Sequence, residues 1–296
     1  MRLATWNVNS AKARHFRLVD WLDRAQPDVV CLQETKLSDV DFDALYADDL
    51  HRRDYRYVHV GQGRWNGVAV LSRIGLDDVR VGLPEAGGTM AREARAVAAT
   101  CSGMRVWSLY VPNGRSLDDP TFPEKLKWLI ALHGELANEP HPLVVAGDMN
   151  IAPTDADVWD PSAFDGSTHV SEPERTALAA ICELGLVDVV RRRWPDQAVY
   201  SYWDYRAGMF HKNLGMRIDL LLATDDIAER VVAAWIDRQA RKGKDPSDHA
   251  PVIVDLDEAP DGDIGPMVPP PSASGAPRGR TVANDRDSRT AARPTG

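Results

Sequence analysis

The chain has 296 residues, 44% hydrophobic and 27% charged, with a formal net charge of −9. That is enough to bury a large core, and no apolar run approaches the ~18–20 residues that cross a bilayer. The acidic balance argues against a protein that coats nucleic acid through phosphate neutralisation, leaving local basic faces at residues 12–14, 191–193 and 238–244, each of which also suits a solvated helix face or loop. Cys31, Cys101 and Cys182 lie far apart with no C-x-x-C pair. An odd count without a framework suits a reducing compartment, and with no signal-peptide pattern at Met1 a cytoplasmic protein is expected.

Residues 3–7 read as a strand, and 12–24 as a helix with Phe16, Val19 and Leu22 on one face and Trp21 beside it, broken at Pro27. Residues 28–34 form a second strand with a polar end, and 39–50 a helical or irregular piece. Residues 55–60 and 67–72 predict a strand pair around a turn-rich tip, and 95–101 with 104–111 another. A helix over 122–138 leads to the apolar strand 143–147, which Gly147 ends. Residues 155–171 are polar and irregular, 173–184 helical, and 186–190 and 200–205 short elements. Strands follow at 217–223 and 251–256, with a piece at 228–233 between them. The expectation is an α/β four-layer sandwich: two packed mixed β-sheets flanked by helices, one catalytic domain over 1–258. Residues 259–296, rich in Pro, Gly, Ser and Arg, read as a disordered tail.

Four strand ends carry clustered polar groups: Thr5-Trp6-Asn7-Val8-Asn9, Leu32-Gln33-Glu34-Thr35-Lys36, Gly147-Asp148-Met149-Asn150 and Ser247-Asp248-His249-Ala250-Pro251. Asp148 and Asn150, two apart, project from one face of extended chain. The carboxylate can accept a proton from water, and the amide can hold it or an oxyanion; the same pair also suits an Asx-rich turn. Glu34, Asp148 and Asp248 offer the oxygen ligands that Mg²⁺ prefers. Asp219, inside the apolar Arg217-Ile218-Asp219-Leu220, needs a partner if buried, and His249 is a natural one.

In this order, these motifs and Gly-Asp-Met-Asn-Ile-Ala-Pro-Thr resemble the exonuclease III family of apurinic/apyrimidinic (AP) endonucleases, within the endonuclease/exonuclease/phosphatase superfamily. The resemblance spans residues 1–256 and implies a DNA repair hydrolase that cuts the phosphodiester 5′ to an abasic site. A 3′–5′ exonuclease and a 3′-phosphodiesterase activity on double-stranded DNA with 3′ blocks are implied as well. It implies Mg²⁺, with Mn²⁺ as an alternative; a monomer is expected, and no membrane association, since no apolar run is long enough to span one. By the same resemblance Glu34, Asn9 and Asp248 surround the metal, with Asp148 and Asn150 alongside. Asn7 holds the catalytic Asp148, which deprotonates water; Asn150 and Asn113 meet the scissile phosphate; Tyr110 serves phosphate or leaving group; Asp219 and His249 form a pair. Arg95, Tyr202, Trp203, Met216 and Ile218 are expected against substrate. Asn9 stands where some relatives carry aspartate, and Tyr202 and Met216 where they carry larger aromatics. The rival readings are a phosphatase for a small or lipid phosphate and a non-catalytic DNA-binding protein.

Overall fold

Alternate side chains of each central strand enter two different cores. The computed structural model describes residues 1–260 and 265–271. In β1 (Arg2–Asn7), Leu3 enters the core between two sheets, while Ala4 and Trp6 enter a core roofed by helices. In β2 (Val29–Gln33), Val29 and Cys31 point inward and Val30 and Leu32 outward. With both faces buried, such strands read as unbroken apolar runs.

Among the described residues the first sheet runs β13 (Met267–Val268), β11 (Val231–Asp237), β12 (Val252–Leu256), β1, β2, β4 (Trp65–Ser72), β3 (Arg56–Gln62). The second runs β5 (Asp77–Val81), β6 (Ala96–Cys101), β7 (Met104–Tyr110), β8 (Leu143–Asp148), β10 (Asp219–Thr224), β9 (Leu186–Asp188). Both are mixed: β1–β2 and β7–β8 are parallel, and most other pairs are antiparallel. Helices α1 (His15–Ala25) and α2 (Asp39–His51) cover the first sheet through Trp21, Leu22, Phe42 and Tyr46. On the second sheet, α3 (Thr121–Leu136) and α4 (Glu172–Cys182) pack Trp128, Leu129, Leu178 and Ile181 against Trp107, Val145 and Leu220. The four-layer α/β expectation holds.

Several local expectations change. Helix α1 buries Leu18, Trp21, Leu22 and Ala25, and the predicted face member Phe16 is 85% exposed. Strand β5 escaped the sequence pattern because all five of its residues are exposed on a sheet edge, so no period-two signal exists. Residues 200–205 form no regular strand; Tyr202 makes isolated bridges to Met216 and His249. In the expected basic stretch 238–244, Arg238 and Arg241 are buried, and Arg238 lies 4.1 Å from the Phe210 ring centroid. The ordered chain also runs past residue 258. Met267 is buried in the inter-sheet core, and β13 pairs in parallel with β11. Composition averaged over a tail cannot reveal one methionine docking on an open sheet edge. The rest of the predicted tail, 261–264 and 272–296, lies outside the described residues. No described helix is long and apolar enough to cross a membrane.

Candidate active site

The polar strand ends meet at one edge of the sandwich because parallel strands finish there and antiparallel ones begin there. Asn7 closes β1 beside Gln33 of β2, just before Glu34. Tyr110 closes β7 beside Asp148 of β8, and Asp148 in turn faces Asp219, the first residue of β10. Gly147 permits this crowding: a Cβ there would lie 2.0 Å from the Leu109 carbonyl oxygen.

One amide ties the two halves together. Asn7 Nδ2 donates to Glu34 Oε1 at 2.8 Å and to Asp148 Oδ2 at 2.9 Å. Asp148 Oδ1 accepts from the backbone N–H of Asn150 at 2.9 Å. The Asx turn and the projecting carboxylate are therefore the same residue, one oxygen for each. Asn9, Glu34, Lys36 and Asn150 have φ of 43°, 52°, 52° and 49°. Left-handed backbone at four non-glycine residues around one cleft is strain of the kind that tertiary structure must hold in place.

His249 Nδ1 lies 2.8 Å from Asp219 Oδ2, which also accepts from Ser201 Oγ at 2.6 Å. Its Nε2 faces Asp148 Oδ2 at 3.8 Å. Burial alone would lower the histidine's pKa, yet the Asp219 and Asp148 carboxylates push it up to about 10. Burial raises Asp148 to about 7 against the opposing pull of His249. Glu34 stays low: burial opposes ionisation, but Lys36 and Asn7 outweigh it. Tyr110 is held well above its usual value by burial and by the nearby Glu34 and Asp148 carboxylates. It therefore stays a neutral donor.

Carboxylate oxygens of Glu34 and Asp148 and a ring nitrogen of His249 lie within 4.8 Å of one another; with His249 protonated, the carboxylate oxygens are the ligand atoms and the imidazolium stands beside them as a cation. Asp248 joins through Asn9, whose Nδ2 donates to Asp248 Oδ1 at 2.9 Å. This oxygen-rich donor set suits a hard divalent cation.

At the other end of the cleft Asn113 Nδ2 donates to Asn150 Oδ1 at 3.1 Å, and Asn150 Nδ2 donates to the Val111 carbonyl at 2.9 Å. Arg95 lies over the Tyr110 ring, 4.8 Å from its centroid. The Tyr202 ring stands 4.9 Å from that of His249. Met216 and Ile218, both buried, back it together with Ala152 and Val158. Trp203 does not reach the cleft. Its side chain is wholly buried, edge-on to Phe210 with ring centroids 5.3 Å apart. Successive residues in extended chain face opposite ways, so Tyr202 and Trp203 could not share a wall.

Residues that no sequence motif marks also line or brace the cleft. His169 Nε2 lies 3.1 Å from both Asn113 Nδ2 and Asn150 Oδ1, and burial and Lys125 lower its pKa to about 4, leaving a neutral imidazole. Beneath it the buried ion pair of Lys125 and Glu174 supports the turn, with Lys125 Nζ donating to the Asn150 carbonyl at 2.8 Å. Neither residue belongs to a recognisable motif. Lys36 was legible only as a neighbour of Glu34.

Residues 4–249 match the Endonuclease/Exonuclease/phosphatase family. The chain belongs to that family. Among curated relatives it is similar to an exodeoxyribonuclease of Bacillus subtilis, 31% identical over 85% of this chain and 98% of the relative. It is likewise 32% identical to exodeoxyribonuclease III of Haemophilus influenzae, over 86% of this chain and all of the relative. Its fold superposes on an AP endonuclease from Archaeoglobus fulgidus with a TM-score of 0.82 at 36% identity, covering 87% of this chain and all of the other. A Neisseria 3′ phosphatase solved with a product DNA hairpin gives 0.83 at 38% identity with the same coverage.

Proposed function

We propose that this family member is a Mg²⁺-dependent DNA repair nuclease that hydrolyses the phosphodiester 5′ to an abasic site in duplex DNA, leaving a 3′-hydroxyl. The observation that carries this is the meeting of Glu34, Asp148 and His249 at a cleft edged by neutral amides. Phosphoryl transfer asks for alignment and charge neutralisation more than for covalent chemistry. The metal, held by Glu34 with Asp248 and Asn9 beside it, would supply Lewis-acid neutralisation of the phosphate. Asp148, oriented by Asn7, takes the proton of the attacking water. His249, kept as imidazolium by Asp219, donates to a non-bridging oxygen, and Asn150 and Asn113 donate to the phosphate from the other side. Tyr110 offers its hydroxyl to the departing 3′-oxygen. Tyr202, backed by Met216 and Ile218, forms an apolar wall for a base-less sugar, whose extrusion costs less than flipping an intact nucleotide.

A second reading, dominance of 3′-end processing, is favoured by the similarity to the Neisseria 3′ phosphatase. One assay separates the two, using an end-labelled duplex with a single tetrahydrofuran abasic analogue, Mg²⁺ or EDTA, and Glu34→Ala as control. A single metal-dependent cut 5′ to the lesion supports the AP endonuclease. A ladder shortening from the 3′ end supports the exonuclease instead. Absence of any cleavage rejects both and returns attention to small or lipid phosphates.

A further inference from the structure

Lys36 is the charged residue of Leu32-Gln33-Glu34-Thr35-Lys36 that the proposed reaction leaves unused. Its backbone is pinned, its N–H donating to the Asn66 carbonyl at 2.9 Å. The side chain turns back into the cleft, where Nζ lies 2.7 Å from Glu34 Oε2 and donates to Asn9 Oδ1 at 2.7 Å. Glu34 Oε1 already accepts from Asn7, and Asp248 Oδ1 already accepts from Asn9. The oxygens best placed for a divalent cation are thus met by the protein's own N–H groups, one of them a full positive charge.

From this geometry we propose that Lys36 is a built-in counter-cation of the metal site. Its ammonium holds Glu34 and Asn9 in position before the metal arrives, and its charge then keeps metal binding weak and exchangeable. The inference rests on the metal-dependent reading above. Two features support it. The Lys36 side chain is 28% exposed on a flexible four-carbon stem, so the ammonium can swing off Glu34 without disturbing the fold. Asn9 is neutral and stands between Lys36 and Asp248, so the carboxylate for which Lys36 and a metal would compete directly is Glu34. A lysine that only braced the loop would, when removed, loosen the ligands and weaken metal binding. A counter-cation does the reverse.

The test is binding of Mn²⁺ to the full chain without DNA, by titration calorimetry or paramagnetic resonance, with melting curves in EDTA beside it. Lys36→Met should bind Mn²⁺ roughly tenfold more tightly than wild type because a like charge has left. It should also melt earlier in EDTA and recover when Mn²⁺ is added. Lys36→Arg, which keeps the charge, should keep the weak binding; Lys36→Gln replaces the methionine variant if that fails to fold. Unchanged or weaker Mn²⁺ affinity in the neutral variant overturns the proposal and leaves the nuclease reading standing. Absence of any Glu34-dependent Mn²⁺ binding in the wild type overturns both.

Discussion

Arg217 and Asp219 are two residues apart, yet they serve buried charge clusters of opposite character. Arg217 joins Asp157, Asp188 and Arg191 at the back of the second sheet. There Asp157 accepts from Arg217 Nε at 2.7 Å, Arg191 Nη2 at 2.6 Å, and Thr154 N and Oγ1 at 2.9 and 2.8 Å. Burial would raise the Asp157 carboxyl, but the two arginines hold it below its usual value. Among the described residues, the ion-pair partners of the four cleft carboxylates (Glu34, Asp148, Asp219 and Asp248) are Lys36 and His249, and Asp219 Oδ1 has no hydrogen-bond partner. A charge cluster whose anions are matched holds a loop in place. One left short of cations calls for a metal before an anionic phosphate can approach.

The sharpest way to break this contrast is to neutralise one aspartate from each cluster. Asp148→Asn should lose turnover on the order of 10³-fold while its urea midpoint stays level or rises, since the carboxylate it removes is one that burial disfavours. Near-normal rates would place the base elsewhere. Asp157→Asn should do the opposite. It leaves Arg217 and Arg191 with Asp188 as their one remaining carboxylate in this cluster, lowering stability by about 3 kcal/mol in urea denaturation, with little change in the rate of the folded fraction. Equal stability losses in the two variants would erase the distinction.

The adjacent residues Tyr202 and Trp203 extend the same test to apolar groups. Trp203→Ala empties a fully buried site and should cost about 3–5 kcal/mol. Tyr202→Ala should mainly raise KM on abasic duplex, with a smaller stability loss. The pH dependence gives a finer measure. His249 is raised from 6.5 to about 10 on folding, so its stabilisation is complete below 6.5 and is lost as pH climbs towards 10. In EDTA, the melting gap between wild type and His249→Asn should therefore narrow over that window. A gap independent of pH would show that the imidazolium does not form.

Much of the site could be read from the chain because its residues sit where apolar strands stop. Asn7, Glu34, Asp148 and His249 are polar groups at the ends of buried runs, and such a placement is costly unless tertiary structure supplies partners. The braces were hidden for the complementary reason. Lys125 and Glu174 lie on amphipathic helices among other charged residues, and His169 sits in an irregular stretch with no periodicity to interrupt. Trp203 was misplaced because a motif shows that an aromatic is nearby, without showing which way it faces.

The sequence by itself determined the layer architecture, through strands apolar on both faces and helices apolar on one, and the chemical types gathered at the strand ends. Only the tertiary structure decided the pairings: that one Asn7 amide spans Glu34 and Asp148, that Lys36 turns back onto Glu34, and that Met267 completes a sheet edge. Periodicity records which residues are buried locally. The partner of a buried charge is set by strand order and register, which join residues as far apart as Asn7 and Asp148.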